Sequence, residues 1–400
     1  MKVLQINTFG NLSTGRVAVD IYRTLRENGH EGLFAFARNQ TDPDVPHYRI
    51  GSTASVYRDG LLTRLTDRAG FFSRNATEKL IRKIREYDPD IIQLHNLHGY
   101  YINIELLFDY LRESGKPVVW TLHDCWAFTG HCCHYSAANC GKWKIGCSHC
   151  PQRSSYPKSI LLDQSSWNYR KKRELFTSLP RLQLVCVSLW LKNEVGQSFL
   201  KDIPCEVIYN GVDLRVFKPS ASDFRRKYGL ENKKIVLGVA STWSPNKGLA
   251  DFLKLAQMLD DPYRIVLVGL GKDDRKSLPR NVLGFGRTGS LQELVDIYSA
   301  ADVFFNASVE ETFGMTTVEA MACGTPAIVY DATALPEVIA GGGGRVVAKH
   351  DLKAVADLLT KGSVPDSVCC RGAARAFDKK LQYGKYLALY QNIIFRGGAA

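Results

Sequence analysis

Short apolar runs, each closed by a glycine or a polar residue and followed by an amphipathic stretch, recur along the whole chain. In the first half they are Val3-Leu4-Gln5-Ile6, Ile91-Ile92-Gln93-Leu94 and Val118-Val119-Trp120-Thr121-Leu122. In the second half they are Ile235-Val236-Leu237, Ile265-Val266-Leu267-Val268, Val303-Phe304-Phe305 and Ile328-Val329-Tyr330. Runs this short and this rich in branched residues suit strands buried on both faces of a parallel sheet. The stretches between them have helical spacing, as at residues 17–26 and 291–300. Strands alternating with helices specify an α/β architecture, and the rhythm restarts at Lys234 after the turn Asn210-Gly211 and Pro219. Two Rossmann-like domains are predicted. A chain of 400 residues with 45% hydrophobic content can supply both cores.

Charge and cysteine narrow the setting. The net charge of +12 favours anionic partners. No zinc-finger, RNA-recognition or helix-turn-helix signature is present, so nucleic acid ranks last among them. No long uncharged apolar run could span a membrane, and the N-terminus reads as a first strand rather than a signal peptide. These features predict a cytoplasmic protein, whose eleven cysteines would be reduced or metal-bound. Between Arg58 and Arg85 eight Lys or Arg stand against three Asp or Glu, interleaved with Leu61, Leu62, Leu65, Phe71 and Phe72. Residues 53–86 therefore read as a basic amphipathic helical region that could rest on an anionic leaflet at the inner face of the plasma membrane; a solvated helix face is the plainer reading.

The chemistry concentrates in residues 309–326, VEETFGMTTVEAMACGTP. Glu311 and Glu319 stand eight residues apart. Between them Phe313 and the turn residue Gly314 lead into a helix opened by Met315, Thr316 and Thr317, and Gly324 and Pro326 end it. The first amides of a helix lack internal acceptors and carry the positive end of its dipole, which suits a diphosphate. Carboxylates on either side of that site suit hydroxyl groups. Phosphate between two hydroxyl readers describes a nucleotide sugar.

This segment, E-x7-E followed by a small-residue helix and G-x-P, resembles the signature of retaining GT-B glycosyltransferases of family 4, in particular members that build bacterial surface polysaccharides. The resemblance covers nearly the whole chain apart from a cysteine-rich insertion. It implies two Rossmann-like domains facing across a cleft: residues 1–206 on the acceptor side, a linker at 207–219 marked by N-G-V-D and F-x-P, a donor-binding domain at 220–379, and a last helix at 380–400 crossing back to the first domain. It implies a hexosyltransferase-type enzyme moving sugar from a UDP- or GDP-sugar to a glycan or lipid-linked glycan, with no catalytic cofactor. By the same comparison Lys247 holds the donor diphosphate, with Thr242 where relatives carry an arginine. Glu311 contacts the sugar and Glu319 the ribose. Phe285 and Arg287 border the base, and Gly15 and Arg16 approach the donor phosphates from the first domain. His123 stands near the reacting sugar, and His95 matches a less constant position. His98 reads as structural. A nucleotide-sugar epimerase of the same fold and a non-catalytic saccharide-binding protein remain alternatives. A nicotinamide enzyme is weakened by the lack of G-x-G-x-x-G.

The insertion, residues 125–150, carries Cys125, Cys132, Cys133, Cys140, Cys147 and Cys150. Cys133, Cys140, Cys147 and Cys150 offer four thiolates for structural zinc, with His131, His134 and His149 as substitutes. Disulfides and free thiols are the competing readings.

Overall fold

The computed structural model describes residues 1–397, with side chains to Phe395. It contains two compact units. One comprises Met1–Tyr209 and the residues from Gln382 onward; the other is Asn210–Leu381.

In the first unit seven strands form one sheet: β1 (Lys2–Phe9), β2 (Glu31–Arg38), β3 (His47–Arg49), β4 (Ile91–Leu94), β5 (Val118–Leu122), β6 (Leu182–Cys186) and β7 (Cys205–Val207). Their order is β3-β2-β1-β4-β5-β6-β7 and every pairing is parallel. The order reverses between β1 and β4, so the carboxyl ends of those two strands flank the topological switch point, where such sheets take ligands.

The core of this unit is completed from the far end of the chain. Tyr383, Tyr386, Leu389 and Tyr390 of the C-terminal helix Lys379–Gly397 pack against Val3, Val17, Ile21, Ile91, Val119 and Val185. The tyrosine hydroxyls enter a buried polar ladder on the sheet. Tyr386 meets Thr121 at 3.0 Å, Thr121 accepts from Gln93 Nε2 at 3.2 Å, and Tyr390 donates to Gln93 Oε1. The helix is thus held by apolar contact and by hydrogen bonds whose loss would strand buried polar atoms.

The second unit has six parallel strands: β8 (Lys234–Val239), β9 (Tyr263–Val268), β10 (Val282–Phe285), β11 (Val303–Asn306), β12 (Ala327–Tyr330) and β13 (Gly344–Val347). Their order is β10-β9-β8-β11-β12-β13, with the switch point between β8 and β11. The segments entering and leaving this unit are tied together. Val212 N–H donates to Phe377 O, Lys379 N–H donates to Val212 O, and Asp213 accepts from Lys379 and Arg215. Those two cations hold the Asp213 carboxyl far below its ordinary range, against the upward push of burial.

Two local expectations change. Residues 53–86 are two helices, Thr53–Thr66 and Arg74–Tyr87, because Asp67 and Ser73 take left-handed backbone and Gly70 has φ 88°. The second helix buries Leu80, Ile81 and Ile84, and Phe71 packs on Trp167, so these residues are not available to a lipid surface. The helix after β6 stops at Val195, and Ser188 caps it by accepting from Leu191 N–H at 3.1 Å. The helix after β1 begins at Thr14, which places Gly15 and Arg16 in its first turn rather than in a loop.

Candidate active site

In the second unit the candidate donor residues leave the carboxyl ends of neighbouring strands. The loop after β8 carries Thr242, which is exposed, and a short turn, Pro245–Lys247, that ends at Gly248 with φ 76°. A Cβ on Gly248 would stand 2.4 Å from Ala307 O, so only glycine lets this loop lie against the exit of β11. That approach sets Lys247 beside Glu311, and the two form an ion pair. Glu311 also accepts from Ser308 Oγ at 3.3 Å, and its backbone is fixed by Thr333, which accepts from Glu311 N–H at 2.8 Å and donates to Glu311 O at 2.6 Å. Asn246 ties the same loop to the neighbouring Glu310 at 2.6 Å.

Gly314, with φ 97°, caps the helix Met315–Ala322. Thr317 N–H is engaged by Gly314 O at 3.0 Å, and Thr317 Oγ1 accepts from Asn306. The helix therefore presents the amides of Met315 and Thr316, not that of Thr317, at its positive end. Glu319 is buried and accepts from Tyr298 OH at 2.9 Å. Phe313 is only 2% exposed and packs edge-on against Phe377, so it belongs to the core rather than to a ligand surface. Phe285 closes an aromatic cluster with Phe224 and Tyr228, and its carbonyl accepts from Gly269 and Leu270 N–H. Arg287, just beyond it, is exposed. Lys247, Glu311 and the helix start are thus brought together at the switch point, whereas Phe285 and Arg287 lie at the end of the edge strand β10.

In the first unit Gly15 is buried, its Cα so near Phe9 that a Cβ would come within 2.6 Å of Phe9 O. Arg16 points to solvent beside it. Across the switch point, His95 and His123 stack with ring centroids 5.3 Å apart. His95 Nε2 faces Gln5 Oε1 at 3.1 Å and must donate, which leaves His95 Nδ1 to accept from His123 Nε2 at 3.0 Å. Burial drives His95 well below its ordinary pKa and His123 down to about 4, so both rings are neutral near pH 7.

Sequence reasoning missed the neighbouring dyad. His98 Nε2 meets Asp124 Oδ2 at 2.6 Å, and His98 Nδ1 meets Tyr156 OH at 3.2 Å. Burial raises the Asp124 carboxyl, but His98 outweighs it and holds the pKa down at about 2. His95, His98, His123 and Asp124 line one small pocket at the ends of β4 and β5. The available signal was that both strands end in polar residues, which holds for His98 and Asp124 as much as for His123.

The cysteine insertion folds beside that pocket with little regular structure. It is anchored by Lys172, buried, which donates to Trp126 O at 2.8 Å and Thr129 O at 3.1 Å and lies over the Trp126 ring. Among the described residues no cysteine is in a disulfide. The structure divides the expected ligand set. Cys140, Cys147 and Cys150 line one cavity with Cys132, while Cys133 faces the His98–Asp124 dyad.

Two family models match the chain: Glycosyltransferase Family 4 over residues 14–216 and Glycosyl transferases group 1 over residues 220–362. The first spans half the chain. The protein belongs to glycosyltransferase family 4. The putative colanic acid biosynthesis glycosyl transferase WcaC of Escherichia coli is 24% identical over 98% of this chain and 100% of its own length. The O-antigen chain mannosyltransferase RfbU of Salmonella typhimurium is 31% identical over 40% of this chain and 45% of its own. Among solved structures, Anabaena HepE in complex with UDP and glucose superposes with a TM-score of 0.69 at 17% identity, covering 98% of this chain and 100% of that one. The fold of this family 4 glycosyltransferase is GT-B.

Proposed function

We propose that this enzyme is a retaining hexosyltransferase that moves a sugar from a UDP- or GDP-sugar to a hydroxyl of a lipid-linked glycan in surface-polysaccharide synthesis. The observation that carries the donor half is the Lys247–Glu311 pair beside the start of the helix Met315–Ala322, at the switch point of the second sheet. A cation and two helix-start amides suit a diphosphate, and an adjoining carboxylate suits sugar hydroxyls. Glu319, oriented by Tyr298, would read the ribose. The acceptor half of the reading draws on relatives named for colanic acid biosynthesis and for the O-antigen chain.

In this reading Lys247 and the amides of Met315 and Thr316 stabilise the charge that develops on the leaving diphosphate. The acceptor oxygen attacks the anomeric carbon on the face the diphosphate leaves, and a phosphate oxygen takes the acceptor proton. The new glycosidic bond forms as the carbon–phosphate oxygen bond breaks, without a covalent enzyme intermediate. No divalent cation is needed for charge neutralisation, because Lys247 and the helix dipole supply it. His123, neutral, is a hydrogen-bonding contact for the acceptor rather than an acid.

A membrane surface is the natural site for a lipid-linked acceptor. On the helix Thr53–Thr66, Tyr57, Leu61 and Leu65 are exposed along one face. Ile160, Leu161 and Leu162 are exposed as well, and Ile160 N–H donates to Arg64 O at 2.7 Å, which joins the two patches. Exposed Arg58, Arg64 and Lys158 surround them. This apolar patch with a basic rim fits an anionic leaflet. Among the described residues no helix is long and apolar enough to cross a membrane.

The deciding experiment is thermal unfolding against UDP, GDP, ADP and CMP with EDTA present, UDP first because the fold relative HepE was solved with it. Saturation at about 100 times Kd stabilises the folded state by about 2.7 kcal/mol. A rise in Tm with one nucleoside diphosphate is expected, together with its loss in Lys247→Ala. No rise with any of them sinks the donor assignment.

A further inference from the structure

Residues 129–151 include one short turn, Lys142–Lys144, and otherwise irregular backbone. A loop this long without regular elements needs something other than backbone pairing to hold it. Packing supplies part of that. Phe128, Tyr135 and Trp143 form a ring cluster, with Tyr135 and Trp143 centroids 4.8 Å apart. The other side of the loop is a cavity walled by Cys132, Cys140, Cys147, Cys150 and His131. The thiols reach it from three separate turns. Asn139, with φ 47°, precedes Cys140, and His149, with φ 46°, bends the backbone between Cys147 and Cys150.

Two details mark this cavity as a site. The first is a backbone donor aimed at sulfur: Gly130 N–H donates to Cys147 Sγ at 3.2 Å. The second is His131. Its side chain is fully buried, and its Nδ1 is taken by the Asp67 carboxylate. Its Nε2 is buried without a hydrogen-bond partner. Native structures seldom leave such an atom unsatisfied, and a histidine fixed through one nitrogen by a carboxylate is a recurring neighbour of bound metal.

We propose that Cys132, Cys140, Cys147 and Cys150 bind one zinc ion as four thiolates, beside the buried His131. The spacing is C-x7-C-x6-C-x2-C, and the set differs from the one the sequence alone suggests by exchanging Cys133 for Cys132. Cys133 is placed elsewhere: its Sγ lies within 4.8 Å of donor atoms of His98 and Asp124. Among the described residues that trio is the one group of three potential ligands whose atoms all lie within 4.8 Å of one another, so the four cavity thiols would have to draw together on the ion, but the trio's imidazole is engaged with Asp124 and Tyr156. Four soft anionic ligands suit zinc, and a closed tetrahedral shell leaves no position for substrate. The ion therefore holds the loop that follows His123 and Asp124, and its four thiols lose their protons on binding. The inference stands independently of the sugar donor.

The test is metal analysis of untagged protein purified without added zinc. About one zinc per chain is expected, lost in Cys132→Ser and Cys140→Ser and kept in Cys133→Ser. Less than about 0.2 zinc per chain overturns the proposal, as does metal that persists in the Cys132→Ser, Cys140→Ser double variant. Should the serine variants not fold, cobalt-loaded wild-type protein decides the matter. The intense visible bands of tetrahedral thiolate coordination support the site, and a pale spectrum without them refutes it. Alkylation of denatured, unreduced protein should label all eleven cysteines; disulfides among these four would also overturn it.

Discussion

Lys247 and Glu311 are paired with each other, and the proposed donor would bring two further negative charges beside them. Their removal should therefore act in opposite directions on binding and in the same direction on turnover. Lys247→Ala removes the cation that stands beside Glu311 near the helix start and should weaken nucleotide binding. Glu311→Gln removes a negative charge that competes for Lys247, so it should leave UDP or GDP affinity equal or tighter. Each should lower turnover at least tenfold, about 1.4 kcal/mol of transition-state stabilisation. Calorimetric titration with the nucleotide and initial rates with the sugar donor separate the two effects; a Glu311→Gln enzyme with normal turnover would remove the carboxylate from the reaction. The stacked imidazoles make a second prediction at this scale. His123 titrates at about 4 when folded against 6.5 when free, so protonation favours the unfolded chain. The neutral pair's contribution is complete above pH 6.5 and is withdrawn as pH falls toward 4, a change on the order of 3 kcal/mol. Urea midpoints at pH 7 and pH 4.5 should differ more in the wild type than in His123→Gln; equal differences would contradict the assignment. The same depressed pKa means that turnover between pH 5.5 and 8 should show no inflection from this ring.

Single elements show how much the sequence revealed and where it stopped. The strands β1, β4, β5, β8, β9, β11 and β12 were legible because each holds a short apolar run, and the helix Met315–Ala322 because Gly314 and Gly324 punctuate it; the edge strands β3, β7 and β13 carry polar residues and gave no such signal. Glu311 was singled out by the E-x7-E segment, Lys247 by the family resemblance alone, and His123 by the same resemblance together with its place at the end of a strand. What stayed hidden depends on direction rather than type. Nothing in the order Cys132-Cys133 says which thiol turns toward Cys147, and nothing in Arg170-Lys171-Lys172-Arg173 says that Lys172 is buried while its neighbours are not. Phe313 lies between two site residues yet turns into the core, since period and position cannot give a loop side chain its direction. The division of residues 53–86 into two helices was hidden for a similar reason: it rests on left-handed backbone at Asp67 and Ser73, residues that only tolerate that conformation. The division has a measurable consequence. The exposed apolar patch proposed to meet lipid belongs to the helix Thr53–Thr66 and the adjoining Ile160, Leu161 and Leu162, not to the helix Arg74–Tyr87. The double change Leu61→Ser, Leu161→Ser should reduce co-sedimentation with anionic vesicles several-fold, while Lys79→Ser, Arg82→Ser should reduce it little. Binding that is no stronger to anionic than to neutral vesicles would dismiss the surface altogether.

At the scale of the whole chain, the first unit is not contiguous. Its sheet ends at Val207, but its core includes residues that follow the entire second unit. Tyr383, Tyr386 and Tyr390 are almost wholly buried there, and deleting a buried aromatic side chain costs about 3–5 kcal/mol. Their loss would also remove the tyrosine partners of Gln93 in β4 and Thr121 in β5, the strands that lead to His95 and His123. Against a typical domain stability of about 5–15 kcal/mol, the sum is enough to unfold the first unit. A chain truncated after Leu381 should therefore lose amide protection in β1, β4 and β5, whereas β8, β9 and β11, whose core lies wholly within residues 210–381, should keep theirs. The same truncated chain should still bind the nucleoside diphosphate through Lys247 and the helix Met315–Ala322 while losing transfer to acceptor. Supplying residues 379–400 as a peptide should restore protection in β1, β4 and β5 if packing of that helix is what the first sheet requires. Hydrogen exchange that is unchanged by the truncation would mean that the tyrosine ladder lies on a core already complete without it.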